Sequence, residues 1–136
     1  MQNLPNEFKS HNGNVSLDEV KKSTYVGIYF SAHWCPPCRG FTPQLATAYK
    51  TWKAEGKSIE IIFVSSDRSD DQFEDYFKEM PWLAVPRSDS TTKSTLSNQF
   101  GVRGIPKLVI MKNGEVVDGE ARGTVMQQGS KAIDGW

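Results

Sequence analysis

The stretch HWCPPCRG, residues 33–40, holds the only two cysteines of the chain, Cys35 and Cys38, with Pro36 and Pro37 between them and Trp34 in front. Just before it, Thr24 to Phe30 (TYVGIYF) is aromatic, β-branched or apolar at almost every position, as a strand covered on both faces must be. Just after it, Phe41, Leu45, Ala48, Tyr49 and Trp52 fall on one face of a helix, which Glu55-Gly56-Lys57 closes. The cysteine pair therefore lies where a buried strand hands over to a helix.

Working outward, Ile59 to Ser65 (IEIIFVS) reads as a second buried strand. Strand, helix and strand make a βαβ unit, whose strands run parallel with a right-handed crossover. Ser69 with Gln72 three residues later forms a capping box, and Phe73, Tyr76, Phe77 and Met80 continue as a helical stripe stopped by Pro81. Thr91 to Phe100 reads as a further helix ending near Gly101. Lys107 to Lys112, Asn113-Gly114 and Glu115 to Asp118 read as a β-hairpin, and a last short helix is expected from Gly123. Residues 1–22 form a polar N-terminal extension, with Asn12-Gly13 as the turn of a short hairpin. The fold class is α/β: a central mixed β-sheet flanked by helices on both faces. Chemistry in such sheets gathers at the carboxyl ends of the parallel strands, where HWCPPC sits.

With 136 residues, 38% hydrophobic and 24% charged, the chain suits one globular domain spanning 1–136. Sixteen basic residues balance sixteen acidic ones, which argues against a nucleic-acid surface or a polybasic membrane patch. No run approaches the ~18 apolar residues of a membrane helix, and no apolar leader opens the chain. A soluble monomer of the cytoplasm, the nucleus or both is expected, with no membrane or nucleic-acid partner.

A domain of this size needs no staple, so a disulfide here has another purpose. If Pro36 is the first helical residue, Cys35 occupies the N-cap, facing free backbone N–H groups and the positive end of the helix dipole. That field favours thiolate over thiol and makes Cys35 the expected nucleophile. Cys38, one turn on, can close a small ring with Cys35 and should be the more buried of the two. Half a zinc site is the rival reading, but only His11 and His33 remain to complete four ligands, and His33 is too close to Cys35 in sequence. No metal and no cofactor are expected. Pro43 lies inside the helix and should kink it at Arg39.

The segment FSAHWCPPCRGFTPQL, residues 30–45, resembles the active-site segment of the thioredoxin superfamily in its tryparedoxin and nucleoredoxin branch. Residues 61–86 (IIFVSSDRSDDQFEDYFKEMPWLAVP) and 100–117 (FGVRGIPKLVIMKNGEVV) are similar to the same branch. The resemblance implies a thioredoxin fold and thiol–disulfide exchange: Cys35 attacks a disulfide and Cys38 resolves the mixed disulfide. It implies a cis Ile105-Pro106 bond facing the cysteines, with backbone groups of Ile105 offered to substrate. It also implies an arginine near the active-site face at Arg122, which by its residue type alone could equally be a solvated charge. Trp34 is read as an apolar platform over the nucleophile for a partner peptide, Trp82 as core, and His33 as exposed.

One position departs from ordinary thioredoxins, which bury an aspartate six residues before the nucleophile. Here that residue is Tyr29, as in the branch, so the proton acceptor for Cys38 is open between water and a carboxylate such as Asp67. The expected activity is protein-disulfide reduction, fed by an upstream flavoprotein reductase or a low-molecular-weight dithiol donor. The alternative is a redox-sensitive binding module for signalling proteins. A peroxidase is disfavoured, because no activating set surrounds a lone cysteine.

Overall fold

A computed structural model describes residues 3–136; Met1 and Gln2, read above as the start of the N-terminal extension, lie outside the described residues. The strands are β1 (Glu7–Ser10), β2 (Gly13–Ser16), β3 (Tyr25–Ser31), β4 (Ile59–Ser65), β5 (Leu83–Ala84), β6 (Lys107–Lys112) and β7 (Glu115–Asp118). The helices are α1 (Leu17–Lys21), α2 (Pro36–Ala54), α3 (Asp70–Phe77), α4 (Ser90–Gln99) and α5 (Ala121–Gln128), followed by a 3-10 helix at Gly129–Gly135.

One mixed sheet has the order β2-β1-β5-β4-β3-β6-β7. β3 pairs parallel with β4, and β4 with β5, while β6 runs antiparallel to β3 and β7 antiparallel to β6. This is the thioredoxin fold. Alternation along the central strands divides the core in two. Tyr29, Ile61, Phe63, Leu108 and Ile110 face the layer built by α2, α3, α5 and the 3-10 helix. Val26, Ile28, Phe30, Ile62 and Val64 face the other layer, with Val20 of α1 and Leu96 of α4. Both faces of β3 and β4 are therefore buried, which explains why these strands read as continuous apolar runs. Gly27 is the exception in β3, and packing accounts for it. A Cβ there would lie 3.0 Å from Ile110 Cδ1 and 3.4 Å from Leu108 Cδ1.

The turns follow local chemistry. Asn113 and Gly114 have φ of 53° and 87°, the left-handed pair a tight hairpin needs between β6 and β7. Gly56 and Gly101, at φ 75° and 60°, stop α2 and α4. Near the N-terminus the two turn residues are His11 and Asn12, one position earlier than read; Gly13 already pairs with Ser10 and carries the positive φ of 107°. Helix α3 ends at Phe77, so Met80 of the predicted stripe is buried but beyond the helix. Helix α5 begins at Ala121, ahead of the expected Gly123. α1 and the two-residue β5 had not been expected. Pro43 is exposed on α2, which runs unbroken across it. The carbonyl it deprives of a partner belongs to the exposed Arg39, so solvent can satisfy it.

Trp82 belongs to the core, as read: it is 1% exposed, edge-on to Tyr29 and Tyr49 at 5.9 and 5.7 Å. Its indole Nε1 has no hydrogen-bond partner among the described residues. A buried donor left unmet costs on the order of 1–3 kcal/mol. Trp82→Phe removes that donor and is expected to cost less than about 1.5 kcal/mol in urea unfolding, against ~3–5 for a usual loss of core aromatic volume.

Candidate active site

Cys35 is the N-cap of α2, in extended conformation at φ −95° and ψ 109°, with Pro36 and Pro37 filling the first two helical positions. Prolines suit those positions because their missing N–H groups have no intrahelical partner in any case. The first free amide is therefore that of Cys38, and it donates to Cys35 Sγ at 3.4 Å. Both cysteines are free thiols. Cys35 is 5% exposed and Cys38 is fully buried, so only the first can meet a partner. Pro36 and Pro37 lie exposed beside it.

Across from this helix start, the Ile105–Pro106 peptide bond is cis. The Ile105 carbonyl lies 3.9 Å from Cys35 Sγ and accepts from its thiol. The Ile105 side chain packs on the small apolar cluster of Ala32, Cys35 and Cys38. Trp34 is 42% exposed. Its indole Nε1 donates to the Ser66 carbonyl at 2.9 Å, and Arg68 lies 4.7 Å above its ring. The indole is thus tied to the β4–α3 loop, and Ile105 supplies apolar cover to the cysteines. A cation–π contact at an exposed site contributes ~0.5–1 kcal/mol, comparable to the net value of the Ser66 bond, so the two together orient the indole. Arg122 is half-buried in the first turn of α5. The N-cap of that helix, Glu120, pairs with Lys107 at 2.8 Å, which sets the start of α5 beside the residue following Pro106.

One expectation needs correcting, and one open choice gains detail. His33 is not freely exposed: its ring stacks on Tyr76 at 5.1 Å and 11°, and its Nε2 lies 3.7 Å from Glu79 Oε2. The imidazole lies flat against the buried Tyr76 ring, an arrangement that aromatic pairs favour. Asp67, considered as proton acceptor for Cys38, is committed elsewhere. One carboxylate oxygen accepts from the His33 backbone N–H at 2.6 Å and the other from the Ser65 hydroxyl at 2.7 Å. With only 7% exposure, it is a buried brace between the cysteine loop and the end of β4. Asp67→Ala leaves the His33 N–H and the Ser65 hydroxyl unmet and is expected to cost about 2–3 kcal/mol in denaturant unfolding. Asp67→Asn, which keeps an acceptor for the His33 N–H, should cost less.

Instead of a carboxylate, hydroxyls surround Cys38. The Ser31 hydroxyl, on β3, and the Ala32 backbone lie beside its thiol and favour the thiolate. Burial and the contact with Cys35 outweigh both, pushing the Cys38 thiol up to about 11. Tyr29, Ser31, Thr42 and Tyr76 are all buried and mutually hydrogen-bonded. Sequence reasoning missed Ser31, Thr42 and Tyr76. Ser31 sits two residues beyond Tyr29 and four before Cys35, and that proximity to the motif was the available signal.

Residues 23–116 match the family model described as Thioredoxin-like. The chain is 47% identical over 116 residues to nucleoredoxin of Bos taurus, covering 85% of this chain and 27% of that protein. It is 40% identical over 129 residues to tryparedoxin of Trypanosoma brucei brucei, covering 93% of this chain and 88% of that one. The solved tryparedoxin of Trypanosoma brucei superposes with a TM-score of 0.91 at 38% identity, covering 99% of this chain and 95% of that one. The chain belongs to the thioredoxin-like family of oxidoreductases. It resembles the tryparedoxin over nearly its whole length and spans about a quarter of the length of the nucleoredoxins it matches. Among the described residues no helix is long and apolar enough to cross a membrane.

Proposed function

We propose that the chain is a single-domain dithiol–disulfide oxidoreductase that reduces protein disulfides through Cys35 and Cys38. The observation that carries this reading is the unequal setting of the two sulfurs. Cys35 caps α2, receives the Cys38 N–H and is the one of the two cysteines that is not fully buried. Cys38 lies behind it with its thiol held neutral by burial.

The chemistry then runs in two steps. The Cys35 thiolate attacks a substrate disulfide R–S–S–R′, forming Cys35–S–S–R and releasing R′–S⁻, which takes up the proton given up by Cys38. The Cys38 thiolate attacks Cys35 Sγ, the Cys35–Cys38 disulfide forms as the S–S bond between Cys35 Sγ and the sulfur of R breaks, and R–S⁻ leaves and takes a proton from solvent. Two electrons pass from the protein dithiol to the substrate. A flavoprotein reductase or a small dithiol then reduces the Cys35–Cys38 disulfide. Trp34, Pro36 and Pro37 supply the surface a peptide lies on, Ile105 and Pro106 flank it with backbone, and Arg122 stands at its rim. A reducing compartment, cytoplasm or nucleus, suits a dithiol that must be kept reduced.

A second reading, a redox-controlled binding module, draws on the exposed Trp34 and the kinship to a stretch of longer nucleoredoxins. Reduction of insulin disulfides with a dithiol donor separates the two. The enzymatic reading predicts steady turnover well above the donor alone. The module reading predicts no turnover and partner binding that survives Cys35→Ser.

A further inference from the structure

The four buried hydroxyls form a closed ring. Ser31 donates to Tyr29 at 3.2 Å; Tyr29 and Thr42 are 2.7 Å apart, Thr42 and Tyr76 2.5 Å, and Tyr76 and Ser31 2.7 Å. A ring of this kind satisfies every hydroxyl with one donated and one accepted bond. Each hydroxyl retains a spare lone pair, and each bond polarises the next. The ring meets the catalytic motif at two members: the Tyr29 hydroxyl lies 3.5 Å from the Cys38 carbonyl oxygen, and the Ser31 hydroxyl lies beside the Cys38 thiol, where it favours the thiolate.

Resting on the dithiol reading above, we infer that this ring is the positioning device for the resolving step: Ser31 turns its proton from Tyr29 to the Cys38 sulfur as the thiolate forms. The bond it gives up is the longest of the four, at 3.2 Å. The ring opens into a chain running Tyr29 to Thr42 to Tyr76 to Ser31 to sulfur. Every hydroxyl still donates, and only one lone pair on Tyr29 loses a donor. An unmet acceptor with a second lone pair is better tolerated than an unmet donor.

The ring stabilises a charge without taking up a proton. Burial pushes the Tyr29 and Tyr76 phenols up, so neither ionises in the working range and neither hydroxyl is a base. This differs in kind from a buried carboxylate, which accepts the proton and adds a charge of its own. The groups that face Cys38 fit this role. β3 contributes Tyr29 and Ser31, α2 contributes Cys35, α3 contributes Tyr76, and Ile105 closes the remaining side with apolar surface. Asp67 is turned to Ser65 and the His33 amide, and His33 stacks on the Tyr76 ring while pairing with Glu79.

The test uses the reduced full chain with oxidised insulin in acid-quenched single turnovers, with intermediates followed by intact mass from pH 6 to 10. Ser31→Ala is expected to form the Cys35 mixed disulfide at the wild-type rate but to resolve it at least about tenfold more slowly at neutral pH. That deficit should shrink as pH rises, because the thiolate then forms without help. Tyr76→Phe, which removes one oxygen from the ring, should slow resolution by a smaller factor with the same pH sense, and it decides the matter should Ser31→Ala fold poorly. Resolution at the wild-type rate in these variants, or a slowing equal at every pH, overturns the inference while leaving the dithiol reading intact. A wild type that forms no Cys35 mixed disulfide overturns both.

Discussion

Cys38→Ser is expected to accumulate as a covalent mixed disulfide with its substrates, and Cys35→Ser to lose reductase activity down to the level of uncatalysed exchange. The two outcomes differ because the sulfurs are not equivalent. Cys35 is the only one a substrate can reach and the only one that receives a helix-start amide. Serine at 35 removes the nucleophile itself. Serine at 38 leaves attack intact and removes escape, so the first step runs once and stops. Intact mass under non-reducing conditions should show one adduct per chain for Cys38→Ser and none for Cys35→Ser. Turnover of Cys38→Ser at the wild-type rate, in the absence of added monothiol, would mean that the second cysteine is dispensable. In the wild type the resolving step should accelerate as pH rises, because the Cys38 thiol is held up to about 11 and the thiolate is its scarce form below that.

The largest effect on stability is expected at Trp52. It is fully buried on α2, its indole Nε1 donates to the Ser130 carbonyl at 2.7 Å, and it meets Trp136 edge-on at 5.5 Å. It therefore joins the helix that carries the cysteines to the C-terminal 3-10 helix. Trp52→Ala loses the apolar area, opens a cavity and strands a carbonyl. Together these should cost about 3–5 kcal/mol, a fall in Tm on the order of 10 °C or more. Trp52→Phe keeps most of the ring and should cost roughly half as much. Chemical unfolding with an unchanged m-value would attribute the loss to the native state. A change below about 1 kcal/mol for Trp52→Ala would show that this end of the helix layer repacks freely.

What the sequence discloses follows from how local each signal is. β3 and β4 were legible because burial on both faces leaves a run of apolar residues that needs no partner to be recognised. The Asn113-Gly114 turn was legible because few residues adopt its backbone. α1 and β5 were not. The first has five residues and one buried side chain, Val20, and the second has two residues, paired with β1 and β4 and buried on both faces of the sheet. Such elements owe their existence to the sheet, not to their own composition.

The site divides in the same way. Cys35, Cys38, Trp34 and Pro106 belong to short motifs with a mechanism attached to their spacing. The hydroxyl ring draws one member from each of two elements and two from β3, with Thr42 and Tyr76 separated by 34 positions. Serine, threonine and tyrosine in helices and strands have nothing in sequence to mark them as a set. Asp67 shows the converse difficulty. A carboxylate near the motif invited a role in proton transfer, but it braces the backbone of His33 instead. Chemical type was readable there and orientation was not.

The division of labour between the two sulfurs is tested most directly by limiting alkylation. The fully reduced protein is exposed at neutral pH to less than one equivalent of iodoacetamide, and the labelled peptide is mapped by mass spectrometry. The account predicts carbamidomethyl on Cys35 with Cys38 essentially untouched. Label divided evenly between the two, or found first on Cys38, would contradict it.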